Sequence, residues 1–551
     1  MARRLLVVVG IVLLGMVAAA EGGVVHPLPT YQSPELTPWP KPRAATNGTG
    51  TVSGIGSVSI SSASSSPLLQ RALQRWAAVI RNSSALSPVA LTAAQITSVA
   101  SVKVALVVTV DSDDEALGPG TNESYTLTVD EAGAGTATAA TVFGALHALA
   151  SYAQLFEQQG NGLILRGLPW AIRDAPRFAH RGMLLDSARH FLPLDTLEAH
   201  IDAMASVKLN VLHWHLVDFQ SFPVDSQAAP RLVQGAYSPR ETYSLADLAH
   251  VVAYAKDRGV RVVPEIDTPG HSYSWHVGYP NIVTACPKTV AKGGGGQVAL
   301  DPSTNETFAV VEKLLAELGG VFPDEAFHLG GDEVRFSCWN ESARVRAFMA
   351  AQGMDNNFVQ LEAQYENRLL QIAKRALPGK TLMVYQEVFD HNISLPTRVV
   401  FGVWKRGGAV GNTSSIPAEI TKIVKAGHEV VLMNGNANNW YLNLGFGNGN
   451  VVSLWPAVYA LDPLNGTTLT PQEAALVVGG EASLWGEEID ERNLAPKAWP
   501  RGAAFAERMW SPRAVNDVDE AAPRLARMFC RLAARGIRAS PISPGSCSRQ
   551  A

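Results

Sequence analysis

The segment Ala326-Phe-His-Leu-Gly-Gly-Asp-Glu-Val-Arg-Phe-Ser337 contains the pattern that decides the fold. A short apolar run is followed by two glycines, which permit a sharp bend and close backbone approach, and then by paired acids. A run of this length reads as a buried strand, and the acids at its end fall on a rim. The same unit recurs at Gly182–Leu185, Val211–Val217, Val262–Ile266, Leu382–Tyr385, Val399–Val403, Val430–Met433 and Val477–Ala482. Between these runs lie helical periodicities at Asp195–Val207, Leu245–Arg258, Phe308–Leu318, Val359–Ala376 and Ile416–Ala426. Eight strands alternating with helices indicate an α/β fold of the (β/α)₈ (TIM) barrel type. A doubly wound open sheet shares the alternation.

Before the barrel, Leu68–Ile80 has a helical pattern, Val102–Val110 and Tyr125–Val129 are β-rich, Ala139–Glu157 reads as a longer helix, and Leu163–Leu165 as a strand. Asp174-Ala-Pro-Arg177 makes a boundary, because proline ends what precedes it. The expected organisation is a signal peptide at 1–20, a Pro/Ser/Gly-rich arm at 21–66, a smaller α/β domain at 67–175 and the barrel at 176–551.

Composition narrows the function. A net charge of −4 gives no basic field for nucleic acid. Met1-Ala-Arg-Arg4 followed by an apolar run from Leu5 to Ala20 has the form of a secretory leader, and the run spans roughly 24 Å as a helix, short of the ~30 Å membrane core. No later segment reads as membrane-spanning. Asn-x-Ser/Thr acceptors stand at Asn47, Asn82, Asn122, Asn305, Asn340, Asn392, Asn412 and Asn465. The four cysteines, Cys286, Cys338, Cys530 and Cys547, lack a CxxC spacing and fit disulfides of an oxidising compartment. Three pairings are open, and the sequence-local one, 286 with 338 and 530 with 547, is expected.

Polar and aromatic residues follow every strand: Asp186 and Arg189, then His213, His215 and Asp218, then Glu265, Asp267 and His271, then Asp332 and Glu333. Later strands add Glu387, Trp404, Trp440 and Tyr441, and finally Trp485 and Glu487. Barrel chemistry belongs at this end of the strands. Paired acids suit glycosidic-bond cleavage, where one must protonate the leaving oxygen. Flat rings (Tyr385, Trp404, Tyr441, Trp485) suit the C–H faces of a sugar. Arg189 can fork onto hydroxyls or form an ion pair with Asp186 or Asp267. His213 and His215 share one strand face, but no third ligand has metal-site spacing, so neither metal nor cofactor is expected. Adjacent acids cannot flank a sugar ring from opposite faces at the ~5 Å spacing a protein nucleophile needs. A substrate that supplies its own nucleophile, a 2-acetamido group, removes the difficulty.

His328-Leu-Gly-Gly-Asp-Glu-Val334 resembles the catalytic signature of the β-N-acetylhexosaminidases of glycoside hydrolase family 20. So do the blocks Asp186-Ser-Ala-Arg-His-Phe191, Asn210-Val-Leu-His-Trp-His-Leu-Val-Asp218, Pro264-Glu-Ile-Asp-Thr-Pro-Gly-His271 and Gly479-Gly-Glu-Ala-Ser-Leu-Trp-Gly-Glu487. The sequons, leader and cysteine spacings resemble the eukaryotic lysosomal-type branch. The resemblance implies an exo-acting, retaining, substrate-assisted hydrolase acting on glycans with terminal β-linked HexNAc (GlcNAc or GalNAc). It implies Glu333 as general acid and base, Asp332 orienting the acetamido group, and Asp218 with His271 as a relay to Glu333. Arg189, Asp267, Tyr385, Trp404, Tyr441, Asn443, Trp485 and Glu487 would bind or support the sugar. It also implies a homodimer in the secretory pathway, in a lysosome or vacuole or outside the cell. Tyr385 and Phe219 depart from the animal members, which carry Trp and a second acid there, and this bears on substrate preference. Competing readings are an inactive sugar-binding protein on the same scaffold and an endo-acting chitinase-type hydrolase.

Overall fold

The computed structural model describes residues 36–81, 101–159, 162–391, 399–406, 415–434, 440–443, 454–542 and 547. The expected leader and Asn82, Asn392 and Asn412 lie outside the described residues. Asn47, Asn122, Asn305, Asn340 and Asn465 are all exposed.

Six strands form the first sheet: β1 (Ala44–Ser62), β2 (Val102–Val110), β3 (Tyr125–Val129), β4 (Gly135–Ala139), β5 (Phe156–Gln159) and β6 (Gly162–Asp174). Their order is β1-β2-β4-β3-β6-β5, and β1 also pairs with β6. Alternation explains β2, β3 and β4, whose buried residues fall at every second position. The helices Pro67–Arg81 and Val142–Ala153 cover this sheet, burying Leu69, Leu73, Trp76, Phe143, Leu146 and Tyr152 against Leu106 and Leu127.

Two expectations are corrected here. Much of the arm expected at 21–66 is a strand, β1, paired antiparallel with β6 and then parallel with β2. Its Ser/Gly composition conceals it because only Ile55 and Val58 are buried. The long helix expected at Ala139–Glu157 is confined to Val142–Ala153. Thr141 caps it by accepting from the Gly144 N–H, and beyond it Phe156–Gln159 pairs with β6 as an edge strand.

The second unit is a closed parallel barrel in the order β11-β12-β13-β14-β15-β16-β7-β8. Its strands are β7 (His180–Asp186), β8 (Val211–Val217), β11 (Arg261–Ile266), β12 (Ala326–His328), β13 (Thr381–Tyr385), β14 (Val399–Val403), β15 (Glu429–Leu432) and β16 (Val477–Leu484). A short ribbon, β9 (Val224–Asp225) with β10 (Tyr243–Ser244), intervenes. Every residue of β7, β8 and β11 is buried, as strands covered on both faces require. The helix positions follow the expected ones within a few residues, for example Leu194–Ser206 and Phe358–Ala376. Cys286 is bonded to Cys338 and Cys530 to Cys547.

A buried ionic cluster joins sheet and barrel. Arg181 of β7 donates through both terminal nitrogens to Glu123, at 2.9 and 2.6 Å, and His147 meets the same carboxylate at 2.8 Å. Lys208 donates to Asp174 at 2.8 Å and to the Tyr125 hydroxyl at 2.9 Å, while Trp510 Nε1 donates to Asp174. Burial alone would raise the Glu123 pKa, but Arg181 and His147 hold it down at about 2. That depressed value stabilises the folded state fully above the ordinary carboxyl pKa of about 4.5, and the contribution disappears as the pH falls toward about 2. Arg181→Leu strands the Glu123 charge, and we expect it to destabilise the protein by ~3–5 kcal/mol in urea unfolding at neutral pH. A loss below ~1 kcal/mol would show the cluster to be dispensable.

Candidate active site

Strand periodicity builds the site from below. Val211, Val263, Ala326 and Met383 point into the barrel as an apolar layer. Two residues further along the same strands come His213, Glu265, His328 and Tyr385, on the same face by the period of two. Glu265 is held by His215 at 2.6 Å, His213 at 3.2 Å and His328 at 3.3 Å. Glu481 of β16 takes His213 at 2.8 Å and His180 at 2.6 Å. All are buried. Burial would raise the Glu265 carboxyl, but His215 and His328 bring it well below its ordinary range.

This ladder climbs to the rim through His215, whose Nε2 lies 2.9 Å from Asp218. Asp218 receives Arg189 at 2.7 Å and His271 Nδ1 at 3.2 Å. Burial would raise the Asp218 carboxyl, yet His271 and Arg189 together hold it far below the carboxylate range. Burial would lower His271, and Asp218 with Asp332 outweighs it, raising the imidazole to about 9. Its Nε2 lies 3.7 Å from both Asp332 and Glu333, so a single cation faces both acids.

The loop carrying those acids is sterically dictated. Gly330 and Gly331 both have positive φ, and a Cβ on Gly330 would come within 1.8 Å of the Asp267 carboxylate. Gly331 N–H donates to Asp267 Oδ1 at 3.0 Å. Glu333 itself has φ +50° and His271 φ +52°, conformations that non-glycine residues hold only when the surroundings impose them. The adjacent acids part ways as a result. Asp332 is buried and its Oδ1 has no hydrogen-bond partner among the described residues, whereas the Glu333 side chain is 43% exposed. Burial and the neighbouring Asp267 carboxylate push Asp332 well up, and burial with Glu265 does the same to Asp267.

The other expected residues fall into two groups. A cleft of ~640 Å³, within the ~300–1,000 Å³ usual for ligand pockets, brings together Arg189, His271, Glu333 and Glu487 with Phe219, Gln220, Gly296, Gln297, Arg335, Phe336 and Ser337. Tyr385, Trp404 and Trp485 pack instead with the apolar barrel interior. Trp404 Nε1 donates to Glu387 at 3.1 Å, and the Trp485 ring lies 5.3 Å from the Arg189 guanidinium. Tyr441 bridges to Ser483, and burial with Asp332 and Glu333 nearby raises its hydroxyl pKa. Asn443 Oδ1 is buried without a partner among the described residues. Tyr385 packs edge-on to His328, with centroids 4.5 Å apart, and burial with Glu265 raises its pKa. Arg189 forms the ion pair with Asp186, at 2.8 Å, and it also lines the cleft.

Glu481, His328 and Gln386 have no role in the strand-end pattern, and Glu265 appears there only as a polar residue without a partner; Gln386 Oε1 accepts from the backbone of Trp404 and Lys405 at 3.1 Å. Period-two spacing along the strands is the signal that places Glu265 and His328 on the face of His213. His213, Glu265 and His328 bring ligating atoms within 4.8 Å of one another, as do Asp267, His271 and Asp332. Each histidine in these sets already meets a carboxylate.

The His271 charge depends mainly on Asp218. In Asp218→Asn, a histidine-selective NMR titration is expected to show the imidazole midpoint falling from about 9 toward its ordinary value. Because the folded value is raised, the stability it provides is complete below about 6.5 and is lost as pH rises through about 9, and the variant should lack that alkaline loss. An unchanged midpoint would assign the charge to Asp332 instead.

Comparison with known proteins agrees with this geometry. The model of the glycosyl hydrolase family 20 catalytic domain matches residues 178–513, and a beta-acetyl hexosaminidase-like model matches 38–155. Beta-hexosaminidase subunit beta of Mus musculus is 39% identical over 451 residues, 81% of this chain and 80% of that protein. Beta-hexosaminidase subunit alpha of Bos taurus is 38% identical over 450 residues, 81% of each chain. The solved chitobiase of Flavobacterium johnsoniae superposes with a TM-score of 0.75 at 28% identity, covering 91% of this chain and 73% of that one.

Proposed function

This chain belongs to glycosyl hydrolase family 20, and we propose that it removes terminal β-linked N-acetylhexosamine from the non-reducing ends of glycans, with retention of configuration. The observation that carries the reading is the parting of two adjacent acids. One is buried with an unpartnered oxygen, the other is exposed in the cleft, and one imidazolium serves both.

Glu333 delivers its proton to the glycosidic oxygen as that bond breaks. The substrate's acetamido oxygen attacks the anomeric carbon, and the aglycone leaves as an alcohol with the Glu333 proton. Asp332, through Oδ1, accepts the acetamido N–H and holds the group under the anomeric carbon as positive charge develops on it. A water then gives a proton back to Glu333 and opens the cyclic oxazolinium from the original face, so the β-configuration returns. His271, held cationic by Asp218, steadies the negative charge of Glu333 between the two steps. Asp267 and the glycine pair fix the loop, while Arg189 and Glu487 bind hydroxyls. Trp404, Trp485, Tyr441 and Tyr385 wall the sugar, with Asn443 at its edge.

No helix among the described residues is long and apolar enough to cross a membrane. The leader-like start, exposed sequons and two disulfides support a route through the secretory pathway to a lysosome-type vacuole or the exterior. The relatives are named as subunits, which supports a dimer as the working assembly. An inactive sugar-binding protein needs stacking rings but no exposed proton donor beside a buried acid, so the catalytic reading is preferred.

Glu333→Gln is expected to lower kcat/KM by at least ~10³-fold on substrates with poor leaving groups, and far less on an activated aryl glycoside that needs little protonation. Asp332→Asn should slow both kinds, because cyclisation is common to them. Full turnover of a 2-hydroxy glucoside, or α-product appearing first by NMR, would remove the substrate-assisted mechanism.

A further inference from the structure

The loop that carries the reactive acids has a back as well as a front. Asp267 grips its glycine turn, and the helix Phe358–Ala376 meets the same turn with an acid of its own. A Cβ on Gly331, whose φ is +95°, would stand 2.8 Å from Val388 and 3.5 Å from the Glu366 carboxyl. Glu366 is 1% exposed, and neither of its oxygens has a hydrogen-bond partner among the described residues. Glutamate is almost never fully buried without a partner. An isolated carboxylate in such surroundings is so costly that it takes up a proton instead.

The charged groups around Glu366 supply no counter-ion. Glu362, one turn back on the same helix, is buried as well and takes His391 at 2.9 Å. After β13, Lys405 is held by Glu387 at 2.6 Å and Lys422 by Asp390 at 3.1 Å. The loops after β11 and β12 bring only further acids, Asp267, Asp332 and Glu333. The helix Asn305–Val321 meets this one through Phe308 against Tyr365 and through the exposed Arg375–Glu312 pair. Arg368 also turns that way, donating to Asn305 at 2.8 Å. Burial, and then Glu362, push the Glu366 pKa well up.

We infer that Glu366 is a positioning residue for the two reactive acids: as a neutral acid it backs the Gly330-Gly331 turn, and its ionisation opens that turn, which confines the hydrolase to acidic surroundings. This rests on the assignment of Asp332 and Glu333 as the reacting pair. The Glu366 oxygens are shut from water, so the proton passes to solvent only when turn and helix part. Parting returns the carboxyl to its ordinary value of about 4.5, while the closed form keeps it protonated. Above that value each unit of pH favours the open form about tenfold, until the closed form ionises too. Asp332 follows Gly331 directly, so an open turn no longer presents its oxygen to the acetamido group.

The test compares the full-length wild type with Glu366→Gln and Glu366→Leu, which fill the position but have no proton to lose. The substrate is an aryl β-GlcNAc. The ratio of variant to wild-type kcat/KM reports the free enzymes and cancels the ionisations they share, that of Glu333 included. It is expected to rise at least about fivefold between pH 5 and pH 7.5. Thermal melts give a second reading that needs no substrate. The folded value is raised, so the stability Glu366 brings is complete below about 4.5 and is lost as pH rises. The wild-type Tm should therefore fall more over this range than that of either variant. The leucine variant serves if the glutamine one does not fold. A ratio that stays flat with pH overturns the inference, whatever its size, because Glu366 would then only fill space. So does a ratio that falls as pH rises. Melts that diverge beside a flat ratio overturn it too, since ionisation would loosen the fold without reaching the reactive acids. A wild type inactive at every pH removes the hydrolase reading itself, and this inference with it.

Discussion

A charge placed inside a parallel barrel has to be matched at once by an opposite one, because desolvation costs several kcal/mol per ion. Much of this molecule follows from that requirement. Glu265 and Glu481 lie in a layer that barrels usually fill with branched aliphatic side chains, and four histidines close around them. His215 then carries the pairing upward to Asp218, and Asp218 fixes both Arg189 and His271. The reactive acids at the top are the last members of a sequence of partners that begins at the start of β7.

Backbone geometry completes what the charges begin. Gly330 can approach Asp267 only because it lacks a Cβ, and the turn it makes sends Asp332 inward and Glu333 outward. Two neighbouring carboxyls of the same chemistry thus acquire opposite surroundings. The left-handed φ of Glu333 and of His271 is held by this packing, and strain of that kind gathers where orientation matters more than stability.

The barrel was legible because each of its strands is a short apolar run followed by polar residues, and those runs match the observed strands to within a few positions. The rim acids were legible for the same reason. The first sheet was harder: β1 buries only Ile55 and Val58, so its composition reads as linker, and Phe156–Gln159 borrowed the periodicity of the helix before it. The interior ladder was half visible. His213, His215 and Glu265 stand out as polar strand-end residues, but that they pair with one another and with His328 appears only when three strands align in register. Arg189, His271 and Glu487 of the cleft beside Glu333 were legible at strand ends, but its far wall was not, because Phe219, Gly296 and Phe336 meet through folding of distant loops.

The ladder also limits how such a site can be transferred to another scaffold. A designer who copied the rim acids onto an ordinary barrel would place Asp218 above aliphatic layers, with no His215 and Glu265 beneath it. The transplanted carboxylate would keep Arg189 and His271 as counter-charges but lose the hydrogen bond from His215, so nothing beneath it would fix the orientation in which it meets His271. For this protein the smallest portable active site is two storeys deep, and its lower storey touches no sugar.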